Sequence, residues 1–217
     1  MRSIVDLSHP ITQGMPVFPG DPRVRATTVH TITESGYNVS ELCLGTHTGT
    51  HVDVPHHVLF SEQAVDSIPM DALVGWAQVL DLTGKQLGRE ITTPDLDEFA
   101  PRLTEGARVL LRTDWSRRFG QPEFFEDYPG ISEGAAAWLA GRKVKLIAVE
   151  QPSVDINGSS AVHKALLTAG IVIVESIANL DKLSQERVYF IALPPNLVGM
   201  DGAPVRAIAI EGMEAAE

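Results

Sequence analysis

The sequence is short of three things: cysteine, long apolar runs and positive charge. Cys43 is the single cysteine in 217 residues, which excludes an intrachain disulfide framework. Its place in a strand-like run predicts a small buried side chain. No apolar run approaches the roughly 18 residues that cross a bilayer, and the first residues are too few and too polar for a signal peptide. We therefore expect a cytoplasmic protein with no membrane partner.

The charge balance is acidic. The chain has 17 Lys and Arg against 28 Asp and Glu, a formal net charge of −11. Such a charge argues against a nucleic-acid partner. Apolar residues at 44% and charged residues at 21% are typical of a soluble globular protein. The length is compatible with one large domain, so we expect a single domain over residues 1–217.

The order of predicted elements favours a mixed α/β (α+β) fold, rich in strands first and then in strand–helix–strand units. Residues 58–75 are predicted to be irregular. Strands are predicted at residues 3–7, 25–32, 37–44, 77–82, 107–112, 144–149, 171–174, 188–193 and 205–210. Helices are predicted from a Thr93 cap to before Pro101, from Ser132 to Gly141, and from Ser159 or Ser160 to Gly170.

Residues 44–58 hold four of the seven histidines. In an extended segment successive side chains alternate between faces, so the odd-numbered polar residues would share one face. Those residues are His47, His51, Asp53 and His57. A helix would also bring the first two together. However, the glycines, threonines, valines and proline of this stretch disfavour a helix.

Metal binding here requires a bend. In a fully extended strand the Cα atoms of His47 and His51 would lie about 13 Å apart, at roughly 3.3 Å per residue. Gly49 permits the bend that would bring the two imidazoles together. Two histidines and the Asp53 carboxylate converging at a kinked strand end predict a zinc or manganese site. The alternative interpretation is a histidine-rich surface loop.

Residues 47–57 resemble the H-x-G-T-H-x-D-x-P-x-H signature of the cyclase-type metal-dependent hydrolases, which include bacterial kynurenine formamidase and isatin hydrolase. The match is complete over eleven positions. Residues 152–155, 192–194 and 201–207 are similar to the P-S-V-D, A-L-P and D-G-x-P-V-R-A segments of this family. The resemblance therefore covers most of the chain, and it implies the swivelling β/β/α fold of these hydrolases.

The resemblance also implies two more ligands. In the kynurenine formamidases a histidine and a glutamate twelve residues apart complete a two-metal site, and His163 and Glu175 have that spacing. Taken alone, the histidine would be a solvent-facing helical residue and the glutamate a strand-end charge. With His47, His51 and Asp53 they make five protein ligands for two Zn²⁺ per subunit, or Mn²⁺ as the alternative. A one-metal site on the first three ligands and one further group stays open.

Two further residues are candidates for the reaction. His57 is expected to be the acid/base group, because an imidazole near its ordinary pKa can deliver a proton to a departing nitrogen at neutral pH. Its alternative role is an additional ligand. Phe18 stands where the kynurenine formamidases carry a tryptophan that lines the substrate pocket. Phenylalanine keeps an aromatic wall but lacks the indole donor, and its alternative role is core packing.

The predicted activity is hydrolysis of a C–N bond in a small aromatic amide or lactam. It resembles that of the arylformamidases of tryptophan catabolism, which convert N-formylkynurenine to kynurenine and formate. The alternatives are an isatin-type lactam hydrolase, a non-hydrolytic cyclase or lyase, and a silent metal-binding module. The apolar residues Met15, Val17 and Phe18 of the 14–22 loop need cover, so we expect a homodimer or homotetramer.

Overall fold

The computed structural model describes residues 2–84, 90–156 and 158–214. The strands are β1 Ser3–Asp6, β2 Arg25–His30, β3 Val39–Cys43, β4 His51–Asp53, β5 Val74–Asp81, β6 Arg108–Arg112, β7 Leu146–Val149, β8 Val172–Glu175, β9 Arg187–Leu193, β10 Gly202–Pro204 and β11 Arg206–Glu211. The α-helices are α1 Ile32–Ser35, α2 Met70–Leu73, α3 Thr93–Asp97, α4 Glu133–Gly141 and α5 Ala161–Thr168.

Nine of these strands form one sheet, in the order β1-β11-β9-β5-β6-β7-β8-β4-β10. The neighbours from β5 to β8 are parallel, and the other pairs are antiparallel. Strands β2 and β3 form a separate antiparallel hairpin. The sheet curls; α3, α4 and α5 pack over one face, and α2 packs on the other. The mixed α/β class expected from the sequence is therefore confirmed.

Both faces of the central strands are buried, as is usual for parallel strands. In β6, Val109 and Leu111 belong to the apolar cluster that includes Leu139 of α4. Leu110, between them, belongs to a second cluster with Phe190 of β9. This alternation follows the two-residue period of a strand. It explains why the apolar, β-branched segments of the sequence predicted these strands well.

The sequence missed several short elements. Residues 58–75, predicted to be irregular, contain α2 and the start of β5. The three-residue strands β4 and β10 pair with each other and extend the sheet beyond β8. Helix α3 is capped by Thr92 rather than by Thr93, because Thr92 shares a reciprocal capping box with Asp95. Such short elements carry too few residues to show a period.

Cys43 is exposed, and the prediction of a buried side chain was wrong. The reason is that no other described element covers its strand, in which every residue is exposed. Within the ranges described above, no helix has the length and apolar character needed to cross a membrane.

Candidate metal centre

The histidine-rich stretch bends where the sequence predicted. Gly49 has a φ of 64°, in the left-handed region that glycine adopts without strain. The chain then enters β4, where His51 lies opposite Glu175 of β8. After β4, a single 3₁₀ turn over Pro55–His57 carries His57. The sheet thus joins the motif to a glutamate more than a hundred residues away.

The five residues predicted as ligands converge around two carboxylates. His51 Nε2 lies 3.3 Å from Asp53 Oδ1 and 3.6 Å from Glu175 Oε2. His163 Nε2 lies 3.4 Å from Asp53 Oδ2 and 3.2 Å from Glu175 Oε1. His47 Nδ1 lies 2.7 Å from Asp53 Oδ1. Asp53 is fully buried, and its neighbours on β4 and β8 cover it from solvent.

Each of these three histidines directs one ring nitrogen toward the two carboxylates. Its second ring nitrogen contacts a further group, which differs for each histidine. The contacts are His47 Nε2 to Asp201 Oδ2 at 2.9 Å, His51 Nδ1 to the Gly49 carbonyl oxygen at 2.8 Å, and His163 Nδ1 to Asp155 Oδ2 at 2.6 Å. Metal-binding histidines commonly donate their second N–H to a carboxylate or a carbonyl, which fixes the tautomer and the ring plane. The nitrogens that remain all face the two carboxylates.

The buried carboxylates of this cluster favour positive charge close to them. Burial would lower the pKa of His163, but Glu175 and its other carboxylate partners outweigh burial and raise that pKa well above its usual value. Burial likewise opposes the charge of His51, and Asp53 raises its pKa. Asp53 Oδ2 is buried without a hydrogen-bond partner. A buried carboxylate oxygen of this kind is suited to a cation, so the donor set fits a metal ion.

Two overlapping sets of residues have ligand atoms close enough to hold a metal ion. One consists of His51, Asp53 and Glu175, and the other of His47, Asp53 and His57. Asp53 belongs to both, which is the arrangement expected of a residue that bridges two ions. Imidazole and carboxylate ligands suit zinc and manganese alike, so the donors do not select between these metals.

His57 differs from the other histidines of the motif. It lines the cavity above the ligands, with its ring centroid 4.0 Å from that of His47. Its nearest carboxylate oxygen is Asp201 Oδ2, at 3.8 Å from Nδ1, too long for a hydrogen bond. Burial lowers its pKa, although Asp53 works in the opposite direction. The lowered pKa favours the neutral form of the His57 imidazole at neutral pH.

The cavity has a volume of about 340 Å³, and four of the five candidate ligands line it: His47, His51, His163 and Glu175. Phe18 lies in its wall, half-buried, with its ring edge-on to Phe125 at 6.0 Å between centroids. Phe119 and Phe124 also line it. Both alternatives considered for Phe18 thus apply in part, because the ring packs on a neighbour and faces the cavity. The sequence showed an aromatic segment at 114–130 but did not connect it with the site.

Two positioning residues were also missed. Asp155 holds His163 and accepts hydrogen bonds from the first backbone N–H groups of α5, those of Val162 and His163. It therefore performs much of the capping that the sequence assigned to Ser159 or Ser160, although Ser159 Oγ accepts from Ala161. Asp201 holds His47 from 154 residues away. Only the resemblance of their segments to a family motif pointed to either aspartate.

Comparison with known proteins identifies the relatives of this chain. A model of the Cyclase family, described as "Putative cyclase", matches residues 5–156. The kynurenine formamidase of Salinibacter ruber is 35% identical over 210 residues, covering 95% of this chain and 96% of that protein. Isatin hydrolase A of Labrenzia aggregata, solved with benzyl benzoate bound, has a TM-score of 0.86 at 26% identity, covering 96% and 93%. A potential metal-dependent hydrolase with cyclase activity has a TM-score of 0.84 at 28% identity, covering 99% and 100%.

Proposed function

The chain belongs to the Cyclase family, and from this membership we propose that it is a metal-dependent hydrolase of aromatic amides, with an aryl formamide as its substrate. N-formylkynurenine, of tryptophan catabolism, is the substrate we favour, in line with the kynurenine formamidases it resembles. The observation that carries the proposal is the ligand cluster. Three histidines, each held by one ring nitrogen, turn the other toward two buried carboxylates.

The proposed ligands are His47, His51, Asp53, His163 and Glu175, and the proposed metal is Zn²⁺, two ions per subunit, with Mn²⁺ as the alternative. When bound, such ions supply Lewis acidity and lower the pKa of a water molecule toward neutrality. The chain's own contribution is to hold the ligand rings in fixed tautomers and to keep the carboxylates dry. The Val154 N–H donates to Glu175 Oε1 and fixes that side chain as well.

His57 is the proposed acid/base residue. In its neutral form, the imidazole can accept the proton that water loses as the water oxygen attacks the formyl carbon. As the C–N bond breaks, the same imidazole returns that proton to the leaving nitrogen, so that formate and a free arylamine result. A ligand role fits less well, because His57 lacks the holding contact that each of the other three histidines has.

The aromatic wall supports an aromatic substrate. Phe18, Phe119, Phe124 and Phe125 line one cavity with the proposed ligands. Offset or edge-on contacts between aromatic rings add to the free energy of area burial. An aryl group placed against this wall would leave its amide carbonyl free to face the ligands that line the cavity.

The test combines metal titration with product analysis. The metal-free protein should recover formamidase activity with about two equivalents of Zn²⁺, following the two-ion scheme. Mn²⁺ is titrated in parallel. Full activity at one equivalent would reject the second ion.

In labelled water, a hydrolase incorporates solvent oxygen into formate, whereas a cyclase or lyase does not. Metal binding without activity would leave the silent metal-binding module, and failure to bind any divalent metal would reject both the hydrolase and that module.

An isatin-type lactam hydrolase is the second candidate. The observation that favours it is the structural similarity to isatin hydrolase A. The two activities are separated by their products, since opening a lactam ring gives one product and releases no formate. Parallel assays with N-formylkynurenine and isatin decide between them.

We also propose a homodimer or homotetramer, on a different basis from the one expected. Met15 of the 14–22 loop is buried, and Val17 and Phe18 are half-buried against the cavity, so the loop needs no partner. The β2–β3 hairpin needs a partner surface, because five large apolar residues in and beside it are exposed. These are Val29, Ile32, Tyr37, Val39 and Leu42. A cytoplasmic location and a single domain over residues 1–217 remain predictions of the sequence; residues 1, 85–89, 157 and 215–217 lie outside the described residues.

A further inference from the structure

The charge distribution around the cavity is uneven. Among its described lining residues, the titratable side chains other than Asp21 are His57 and four of the proposed ligands, and none is lysine or arginine. Asp21 is thus the one acidic group of the lining that the proposed reaction does not use. Its carboxylate makes no hydrogen bond or ion pair with another described residue, so it is available to a ligand.

Asp21 and the aromatic wall belong to one turn. The Asp21 N–H donates to the Phe18 carbonyl oxygen at 3.0 Å. Pro19 within the turn and Pro22 after it restrict the backbone, because each proline fixes its own φ. The turn therefore holds the backbone positions of Phe18 and Asp21 in a fixed relation to each other. A molecule with an aromatic ring and a positive group a few bonds away would match this pair.

Apart from the proposed metal site, no lysine or arginine of the described lining is available to an anion beside Asp21. The N-terminus of α5, next to the lining residues Ser159 and Ser160, would be the natural place for a carboxylate. Its first N–H groups are already taken, by Ser159 Oγ and by the two oxygens of Asp155. The chain's net charge of −11 also disfavours an anionic ligand.

We propose that Asp21 positions the substrate by pairing with an ammonium group, so that the cavity selects aryl formamides bearing a primary amine and gives no recognition to a substrate carboxylate. This inference rests on the proposed function and narrows its substrate class. It assigns Asp21 to substrate binding, so its removal should raise KM and leave kcat largely unchanged.

Four formanilides test this design. They share the 2-acylformanilide core and carry an amine only (N-formylkynuramine), an amine and a carboxylate (N-formylkynurenine), a carboxylate only (its deamino analogue) or neither (1-(2-formamidophenyl)propan-1-one). For the wild-type protein, kcat/KM should be highest for the amine, no higher for the zwitterion, lower for the neutral compound and lowest for the acid. A zwitterion clearly preferred over the amine would overturn the claim about the carboxylate.

Asp21→Asn removes the charge and keeps the shape. It should raise KM for the two amine-bearing substrates by about 2–5-fold, the value of a partly exposed ion pair, and leave the neutral compound unchanged. Asp21→Glu should restore part of the loss, and added NaCl should shrink the difference. Asp97→Asn, on the exposed side of α3, removes the same charge away from the cavity and should change nothing. Equal effects of Asp21→Asn on all four substrates would overturn the proposal.

Binding keeps the two proposals separable. If none of the formanilides is hydrolysed, the proposed function fails, and calorimetry with kynuramine and the neutral aniline 1-(2-aminophenyl)propan-1-one then tests Asp21 alone. Weaker binding of kynuramine to Asp21→Asn than to the wild type, with no change for the neutral amine, would support the inference. Unchanged binding of kynuramine would reject it.

Discussion

The metal centre and the β2–β3 hairpin differ in how the chain covers their side chains. In the metal centre, charged groups are buried, and nearly every polar atom has a partner within the described part of the chain. In the hairpin, apolar groups are exposed; Leu42, for example, retains 58% of its accessible surface. In the first region nearly all described polar groups have partners and a cation is the one component still needed. In the second region the apolar side chains have no covering surface within the described part of the chain.

This difference separates two kinds of requirement. A buried carboxylate such as Asp53 needs positive charge within a few ångströms, which protonated histidines or a metal can supply. An isolated two-stranded hairpin is marginally stable in water and needs apolar cover. We therefore expect substitutions in the metal centre to act on metal content and chemistry, and substitutions in the hairpin to act on assembly.

The largest effect is expected from the shared carboxylate. Asp53→Asn should lose metal and lower turnover by at least about 10³-fold, because a neutral amide cannot balance the cations that it would bridge. His51→Ala should behave similarly. Elemental analysis of the purified variants gives the metal content. Full metal occupancy in His51→Ala would contradict the ligand assignment. His56→Ala is the control, since His56 is exposed and binds the Ser61 carbonyl instead.

The next effect concerns His57. His57→Asn should keep its metal and lose about 10²–10⁴-fold in turnover, the range for an acid/base group. The loss should be smaller for an activated aryl ester, whose leaving group needs less protonation. If His57 is a ligand instead, the variant loses metal and both substrates suffer alike. Equal losses with metal retained would favour a substrate-positioning role.

The pH profile sharpens the same assignment. The base must be neutral, so kcat/KM should fall as the pH drops through the pKa of His57. Burial holds that pKa below the ordinary value of 6.5, and the acid limb should therefore lie below 6.5. The limb should be absent in His57→Asn if the variant retains measurable activity and metal.

The two orienting aspartates form a matched pair. Asp155→Asn and Asp201→Asn should each weaken metal affinity by about 10–100-fold, since each holds the second nitrogen of a ligand histidine. Asp155 also accepts from two backbone N–H groups of α5 with its two oxygens, whereas asparagine has one acceptor oxygen, so this variant alone should lose about 1 kcal/mol of unfolding free energy. Denaturant unfolding of the metal-free proteins measures that difference. Equal stabilities would show that the cap contributes nothing.

The capping aspartate also predicts a pH dependence. Burial would raise the pKa of Asp155, but hydrogen bonds from His163 and from the α5 backbone outweigh burial and lower it to about 2. Its contribution to stability is therefore complete above its ordinary value of 3.8 and is lost as the pH falls toward about 2. The stability difference between wild type and Asp155→Asn should shrink over that acid range.

The smallest effect on catalysis is expected in the hairpin. Leu42→Lys should dissociate the oligomer, as measured by light scattering at micromolar concentration, and leave metal content unchanged. Thr168→Lys adds the same charge at the exposed C-terminal end of α5, outside the hairpin. It serves as the control. A wild-type protein that is a monomer and fully active would contradict the proposed oligomer.

Much of the metal centre could be predicted from the sequence because its first part is local. The side-chain period of an extended segment and the backbone freedom of Gly49 depend on neighbouring residues alone, and both placed His47, His51 and Asp53 together. His163 was different. Its own helix suggested a solvent-facing side chain, and only a family resemblance indicated the buried position that it has.

The tertiary structure decided the rest. Asp201 reaches His47 across 154 residues, Phe119 and Phe124 turn toward a cavity built by other segments, and Cys43 is exposed because nothing in the described chain covers its strand. None of these features produces a periodic pattern in the neighbouring sequence. The sequence by itself determined the strands, the bend and the metal-binding motif through local backbone preferences. Which aspartates orient the histidines, and which apolar surfaces stay exposed, depend on how distant segments pack.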